Sequence, residues 1–390
     1  MTQSTIVIIA YNRLNALKQL LVAINNAIYP EGSIKLIISI DKGNNKDVCA
    51  LATAFDWQHG SKEVICHEEH LGLIRHVFFC AGLTEKYDNV ILLEDDLFVS
   101  PFYYTFSEKA LEYYCDEEKV AGVSLYNYCL SESSLLSFLP IDDGSDVYFM
   151  QYPSSWGLCL TKKNWRLFLK SYTDGELSDD SDDPSFVKCW NNNSWKRFII
   201  RYLCKYNKFF VFPRLSLTSN FSYKGINTPV GLTIFQVPLQ MSSKNYNFIS
   251  IADSKAIYDA YFEITAESLN KFIPQFSSFN YTVDLQGVKD LKKTDVPYVF
   301  TIRKTKSPLM MNGSSMKPLI LNIINNVKGT DISFDLIENT SRKTKHVHYG
   351  HTEFVNKYLH QNLSNRFSFF KYFYLYVSCE MKMYWQKIFS

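Results

Sequence analysis

Residues Val90 to Pro101 read VILLEDDLFVSP. An apolar run ends in three consecutive carboxylates, Glu94, Asp95 and Asp96, and then resumes as an apolar turn towards a helix. Val90 to Leu93 are hydrophobic without alternation, the pattern of a parallel strand covered on both faces, so the acidic triplet emerges at that strand's carboxyl end. Open α/β sheets bind their ligands along that edge. Close carboxylates repel unless a cation or hydrogen-bond donors compensate, and a hard divalent ion held by one or two carboxylates is one such compensation. The plain alternative is a solvated acidic loop; the tight framing by Leu93 and Leu97 speaks against it.

Working outward, Thr5 to Ala10 (TIVIIA) is a buried-type strand, and Leu14 to Ala27 carries apolar residues at helical spacing. Lys35 to Ile40 is a second strand, Asp47 to Phe55 a second helix, Glu63 to His67 a third strand and Leu73 to Leu83 a third helix. Strand and helix alternating at this spacing predict a parallel sheet with right-handed crossovers. Three strand ends then carry Arg13, Asp41 and the Glu94-Asp95-Asp96 cluster on one rim. Each alone is an ordinary turn former or cap; their coincidence is the signal.

The second part of the chain adds an aromatic segment from Tyr148 to Trp165 that includes Ser154-Ser155-Trp156-Gly157. An acidic patch from Asp179 to Asp183 follows, ahead of a helix over Trp190 to Tyr206. Beyond about Gln240 shorter β-like runs, Tyr281 to Leu285 and Tyr298 to Arg303, accompany a helix near Leu319 to Val327. The expected organisation is a main α/β domain over 1–240, an accessory α/β module over 241–340 and a tail over 341–390.

The 390 residues suffice for a sizeable core, and the near-balanced charge of +2 gives no reason to expect a nucleic-acid partner. That balance conceals a tail of net +6 from Arg342 onward against −4 in the preceding residues. The tail mixes rings such as Phe369, Tyr374 and Trp385 with Lys371, Lys382 and Lys387, a composition suited to an anionic membrane surface. Nine scattered cysteines with no CxxC pair point to reduced thiols. With no basic and apolar leader and no spanning run, the expected location is cytoplasmic, peripheral on the inner membrane face.

In order along the chain, IVIIAYNR, ISIDKG, the Arg75-His76 pair, LLEDDLFVSP, SSWG and FPRLSLTSNFSYKG form a fairly specific combination. Over residues 4 to 230 the sequence resembles the GT-A glycosyltransferases, in particular the group built like N-acetylglucosaminyltransferase I and its bacterial relatives in surface-polysaccharide synthesis. The resemblance implies a Rossmann-like, mostly parallel sheet with helices on both faces. It implies a metal-dependent, inverting hexosyl- or N-acetylhexosaminyltransferase, acting from a nucleotide-sugar donor onto a glycan or lipid-linked glycan acceptor. UDP-sugar is the first choice of donor and GDP-sugar the second. Residue by residue, it implies that Arg13 and Asp41 contact the nucleotide, Asp41 through the base. Arg75, His76 and Glu94 fall near the diphosphate-sugar, Asp95 towards ribose and sugar, and Asp96 on the metal. A hard, oxygen-rich site suits Mn2+ or Mg2+. Trp156 and Gly157 fall on the acceptor side, where an indole stacks on a sugar ring and glycine admits close backbone approach.

The match breaks at the general base. An inverting transferase needs a group to take the acceptor proton, and the resemblance places it on the helix after the acceptor loop, beside a Trp. Here that stretch reads Asn193-Ser194-Trp195-Lys196-Arg197-Phe198, with no carboxylate. Asp182 and Asp183 in the nearby acidic patch are the expected substitutes. Two other classes stay open: a sugar nucleotidyltransferase, although Ala10-Tyr11-Asn12-Arg13 lacks its glycine-rich loop, and a catalytically weak nucleotide-sugar-binding scaffold.

Overall fold

The computed structural model describes residues 3–181, 183–188, 190, 193–220 and 234–341. The first half alternates as its periodicity demands: β1 Thr5–Ala10, α1 Leu14–Asn25, β2 Leu36–Ile40, α2 Lys46–Ala54, β3 Lys62–Cys66, α3 Leu73–Gly82, a short α4 Thr84–Tyr87 and β4 Asn89–Glu94. Next come β5 Leu97–Val99, α5 Tyr103–Tyr113, β6 Val120–Ser124, β7 Val147–Met150, β8 Leu158–Thr161, α6 Lys162–Thr173, α7 Ser185–Lys188, α8 Lys196–Lys205, β9 Phe209–Pro213, β10 Thr218–Asn220 and β11 Ile257–Tyr258.

Among the described residues nine strands form one sheet in the order β11-β7-β9-β6-β8-β4-β1-β2-β3. β3, β2, β1 and β4 are parallel neighbours, while β8 runs antiparallel between β4 and β6. β1 shows why its apolar run does not alternate. Ile6 and Ile8 enter one buried cluster with Leu17, Leu20 and Ile24 of α1, whereas Val7 and Ile9 enter the other with Val77, Cys80 and Ala81 of α3. Successive side chains point to opposite faces, and both faces are covered. The expected α/β architecture, a large mostly parallel sheet with helices on both sides, is what the chain adopts.

Residues 241–280 are joined to this sheet. Tyr246 and Phe248 pack on Phe106 of α5, and β11 pairs in parallel with β7. The second sheet begins only at β12 Tyr281–Asp284 and continues through β13 Tyr298–Thr301, β14 Met310–Asn312 and β15 Ile332–Leu336, in the order β12-β13-β15-β14. Its Tyr281, Phe300 and Phe334 belong to the same buried cluster as Trp165 and Phe168 of α6, so one core runs through both sheets. The tail over 341–390, apart from Ser341, lies outside the described residues.

Candidate active site

The parallel strands end together. The Asp95 N–H donates to the Ile9 carbonyl (3.1 Å) and the Tyr11 N–H to Asp95 Oδ2 (3.4 Å), stitching the end of β4 to that of β1. The Arg13 guanidinium reaches both adjacent carboxylates, with Nη2 on Asp95 and Nη1 2.6 Å from Asp96 Oδ2. Burial works against the Arg13 charge, but Asp95, Asp96 and Glu94 outweigh it and raise its pKa. Burial pushes Asp95 up to about 6, Arg13 pulling it down and Asp96 adding to the rise. Glu94 goes up to about 8, first through burial, then through Asp96 and Asp95, with Arg13 and Lys196 acting in the opposite sense. Negative charge is in excess here.

Asp96 is 7% exposed, and its Oδ1 is buried without a hydrogen-bond partner among the described residues. Leaving a buried acceptor unpaired costs about 1 to 3 kcal/mol, more if it is charged, so such an atom calls for a ligand. A hard divalent cation fits it. Among the described residues no three His, Cys, Asp or Glu side chains are arranged to hold a metal ion. An ion here would therefore rest on Asp96 and complete its shell with water and phosphate oxygens, as magnesium-type sites do.

Asp41 follows β2, and its carboxylate is held by three backbone N–H groups. Oδ1 accepts from the N–H groups of Lys42 (2.8 Å) and Leu71 (2.7 Å), and Oδ2 accepts from Gly72 N–H (3.0 Å) and faces His70 Nδ1 at 3.0 Å. Burial would raise its pKa, but these N–H groups and His70 hold it below the usual carboxylate range. These three N–H groups tie the turn before α3 to the rim through Asp41, while the Nδ1 of His70 also lies 3.1 Å from the Lys42 carbonyl, so one acceptor position of the carboxylate is not taken by a backbone donor. Arg75 works on the same turn from outside, donating to the carbonyls of Leu71 (2.7 Å) and His70 (2.9 Å). His76, expected near the diphosphate-sugar, is bonded to β2 just behind the strand end that carries Asp41. It is 3% exposed, and its Nε2 lies 2.8 Å from Ser39 Oγ, which also bonds His67 Nε2 at 3.0 Å. Burial, the dominant effect, holds His76 neutral and takes its pKa down to about 4.

Trp156 reaches the rim through strand register. β8 is antiparallel to β4 with Leu158 opposite Leu92, so the residues just before β8 leave the sheet at the end where Glu94 does. Gly157 is required at the junction: its φ is +94°, and a Cβ there would lie 3.0 Å from Thr218 Cγ2 and 3.2 Å from Leu125 Cβ. The partly exposed indole packs against Tyr126 (4.6 Å between ring centres) and Phe235 (5.0 Å).

Asp183 has both oxygens in a bidentate ion pair with Arg201, at 2.6 Å each, and is 4% exposed. It anchors the acidic patch to α8 and presents no free carboxylate. Asp182 lies outside the described residues. Asp143 is equally committed, to Arg214, Ser145, Ser254 and the Lys255 N–H. These bonds overcome burial and take its pKa down to about 2.

Sequence reasoning missed one constellation. Lys196, noticed only as part of the stretch lacking a carboxylate, is ion-paired to Glu132 (2.8 Å) beside Tyr152, Trp190 and Trp156. The ammonium at the helix start was a usable signal; nothing local marks Glu132 in its Ser-rich loop.

No protein-family model matches the chain, and no curated protein matches it. Similar solved structures include a mannosyltransferase from Pyrobaculum calidifontis in complex with GDP-Man and Mn2+, 10% identical over 44% of this chain and 46% of that one, TM-score 0.32. GalNAc-T7 with UDP, GalNAc and Mn2+ is 11% identical over 56% of this chain and 44% of that one, TM-score 0.40. S. aureus TarS 1–349 is 11% identical over 55% and 59%, TM-score 0.34. The chain spans about half the length of each of these proteins. Likeness this shallow leaves family and activity to be argued from the residues themselves.

Proposed function

We propose that the chain is a divalent-metal-dependent glycosyltransferase that moves a sugar from a nucleoside-diphosphate donor to a hydroxyl of a glycan or lipid-linked glycan acceptor. UDP-sugars are the first choice of donor and GDP-sugars the second, and surface-polysaccharide assembly is the setting that the sequence motifs favour. The observation that carries this is the unpartnered Asp96 Oδ1 at the end of β4, on the same rim as the indole of Trp156. One end of that rim suits a cation with phosphates, and the other suits the apolar face of a sugar. The parallel order β3-β2-β1-β4, with antiparallel β8 beside β4, also puts the switch in strand direction next to the carboxylates.

Asp96 would hold Mn2+ or Mg2+, and the bound ion supplies Lewis-acid neutralisation of the departing diphosphate. Arg13 fixes the two carboxylates in place, and Asp41 with Arg75 sets the turn that closes the nucleotide side. For an inverting transfer the base is assigned to the acidic patch at Asp182, with Asp183 and Arg201 holding that patch against α8.

Thermal unfolding with a panel of UDP-, GDP- and CMP-sugars, with and without Mn2+, tests the proposal. A ligand that binds only the native state raises the apparent melting temperature with its concentration. The expected result is a shift that needs both a nucleotide-sugar and the metal. No shift with any donor in saturating Mn2+ overturns it.

A further inference from the structure

Lys196 is the first residue of α8, where the positive end of the helix dipole opposes an ammonium. It is held there nonetheless. Its Nζ lies 3.0 and 2.8 Å from the two oxygens of Glu132, and Glu132 also accepts from the hydroxyls of Tyr128 (2.6 Å) and Tyr152 (2.9 Å). Those four contacts fill the acceptor positions of the carboxylate. They also use two of the three ammonium hydrogens, and the third is left with the Tyr152 hydroxyl at 3.5 Å, too long for a good hydrogen bond. Three rings surround the same Nζ: Trp190 at 5.0 Å, Tyr152 at 5.1 Å and Trp156 at 6.0 Å. The charge of Lys196 also reaches Glu94. Lys196 therefore lies over the indole and within electrostatic reach of the carboxylate end of the rim.

We propose that Lys196 is the specificity-determining residue of the donor-sugar pocket, donating its third N–H to a hydroxyl of a neutral hexose or N-acetylhexosamine that stacks on Trp156, which assigns this indole to the donor sugar in place of the acceptor role expected from the sequence. Glu132 is its positioning residue. This deepens the nucleotide-sugar reading above and rests on it. Charge decides in favour of a neutral sugar. Among the described residues Asp95, Asp96 and Glu132 meet Arg13 and Lys196, one carboxylate in excess while buried Glu94 resists ionisation; a divalent ion outweighs that excess, and a donor diphosphate outweighs the ion in turn. Lys196 is already neutralised by Glu132, so a sugar carboxylate would meet an uncompensated negative field. A hydroxyl needs only the unused N–H.

The test is calorimetric binding of UDP, UDP-glucose, UDP-N-acetylglucosamine and UDP-glucuronate, each with Mn2+, to wild type and to Lys196→Met, with GDP and GDP-mannose as a parallel arm. Each sugar's affinity is taken as a ratio to its own nucleoside diphosphate, which cancels effects on the nucleotide and the metal. In wild type the ratio for a neutral sugar should exceed that for the glucuronate by about tenfold or more, and Lys196→Met should lower the neutral ratio by about tenfold, as expected for a lost hydrogen bond to a charged donor. Nucleoside diphosphate binding itself should change less than about twofold in the variant, a selectivity that a merely structural role would not produce. Because Lys196→Met leaves half-buried Glu132 with no counter-charge, the double variant Lys196→Met with Glu132→Gln, which removes both charges together, provides a second route to the same ratios if the single variant fails to fold. An unchanged neutral ratio in either variant, or a glucuronate ratio above the neutral one in wild type, overturns the inference alone. Wild type that binds no nucleotide in Mn2+ overturns the nucleotide-sugar reading and this inference with it.

Discussion

Leu92 of β4 stands opposite Leu158 of β8 in antiparallel register, and this pairing brings Trp156 to the rim where Glu94 ends its strand. Carboxylates and indole come from segments about sixty residues apart, yet two hydrogen-bonded strands fix their spacing. The donor end and the sugar end of the proposed site are thus parts of one rigid sheet edge, the placement that gives a site its precision.

Replacing Asp96 by Asn keeps the shape of the side chain and removes the charge that a cation needs. Donor affinity in Mn2+ should fall by about tenfold or more, equivalent to about 1.4 kcal/mol, with the melting temperature close to wild type. Donor titrations with and without the metal check this, and metal-dependent affinity equal to wild type would remove Asp96 from the role.

Asp41→Ala leaves the N–H groups of Lys42, Leu71 and Gly72 without their acceptor. At about 1.5 to 3 kcal/mol for a hydrogen bond to a charged group, the loss should reach several kcal/mol of stability. UDP and inorganic diphosphate should weaken to a similar degree, because the turn and not a base contact is disturbed. Selective weakening of UDP would return Asp41 to the nucleobase.

For the acceptor proton, Asp182→Asn should lower kcat strongly while donor affinity stays level, the mark of an interaction made only in the transition state. Asp183→Asn should act mainly on stability, by breaking the buried pair with Arg201. If the double replacement keeps wild-type kcat, the base lies elsewhere or the transfer is not inverting.

The contribution of His76 to stability should fall on mild acidification, opposite in sign to Glu94 and Asp95, whose raised pKa values make protonation favour the fold. His76 has a folded pKa of about 4 against an ordinary 6.5, so the unfolded chain takes up the proton first as pH drops. The contribution is fully present above about pH 6.5 and is lost between there and about pH 4, amounting to no more than about 3 kcal/mol. His67, also lowered by burial, acts in the same sense. Urea midpoints from pH 7.5 to 4.5 should fall further, or rise less, in wild type than in a His76→Gln variant; parallel curves would assign the effect to other groups.

The tail lies outside the described residues, and among those residues no helix is long and apolar enough to cross a membrane. Its basic and aromatic composition predicts binding to anionic liposomes at low salt, each basic side chain near the surface adding about 1 kcal/mol. Co-sedimentation should be strong for the full chain and weak for one ending at Asn365. Equal binding by both would end the membrane reading.

The sequence by itself determined the strands and helices of the first half and the acidic end of β4, because burial on both faces of a parallel sheet leaves a continuous apolar run that only a strand end interrupts. It also determined that Arg13, Asp41 and Asp96 share a rim, since parallel strands must end on the same side. Tertiary structure decided what each of those groups is free to do. Arg13 finds Asp95 and Asp96 more than eighty residues away, Asp41 takes two N–H groups from a turn thirty residues on, Asp183 closes on Arg201, and Glu132 meets Lys196 across sixty-four positions. Charge pairs between loops carry no periodicity along the chain, so whether a carboxylate is open or saturated is set only when folding brings its donors within three ångströms.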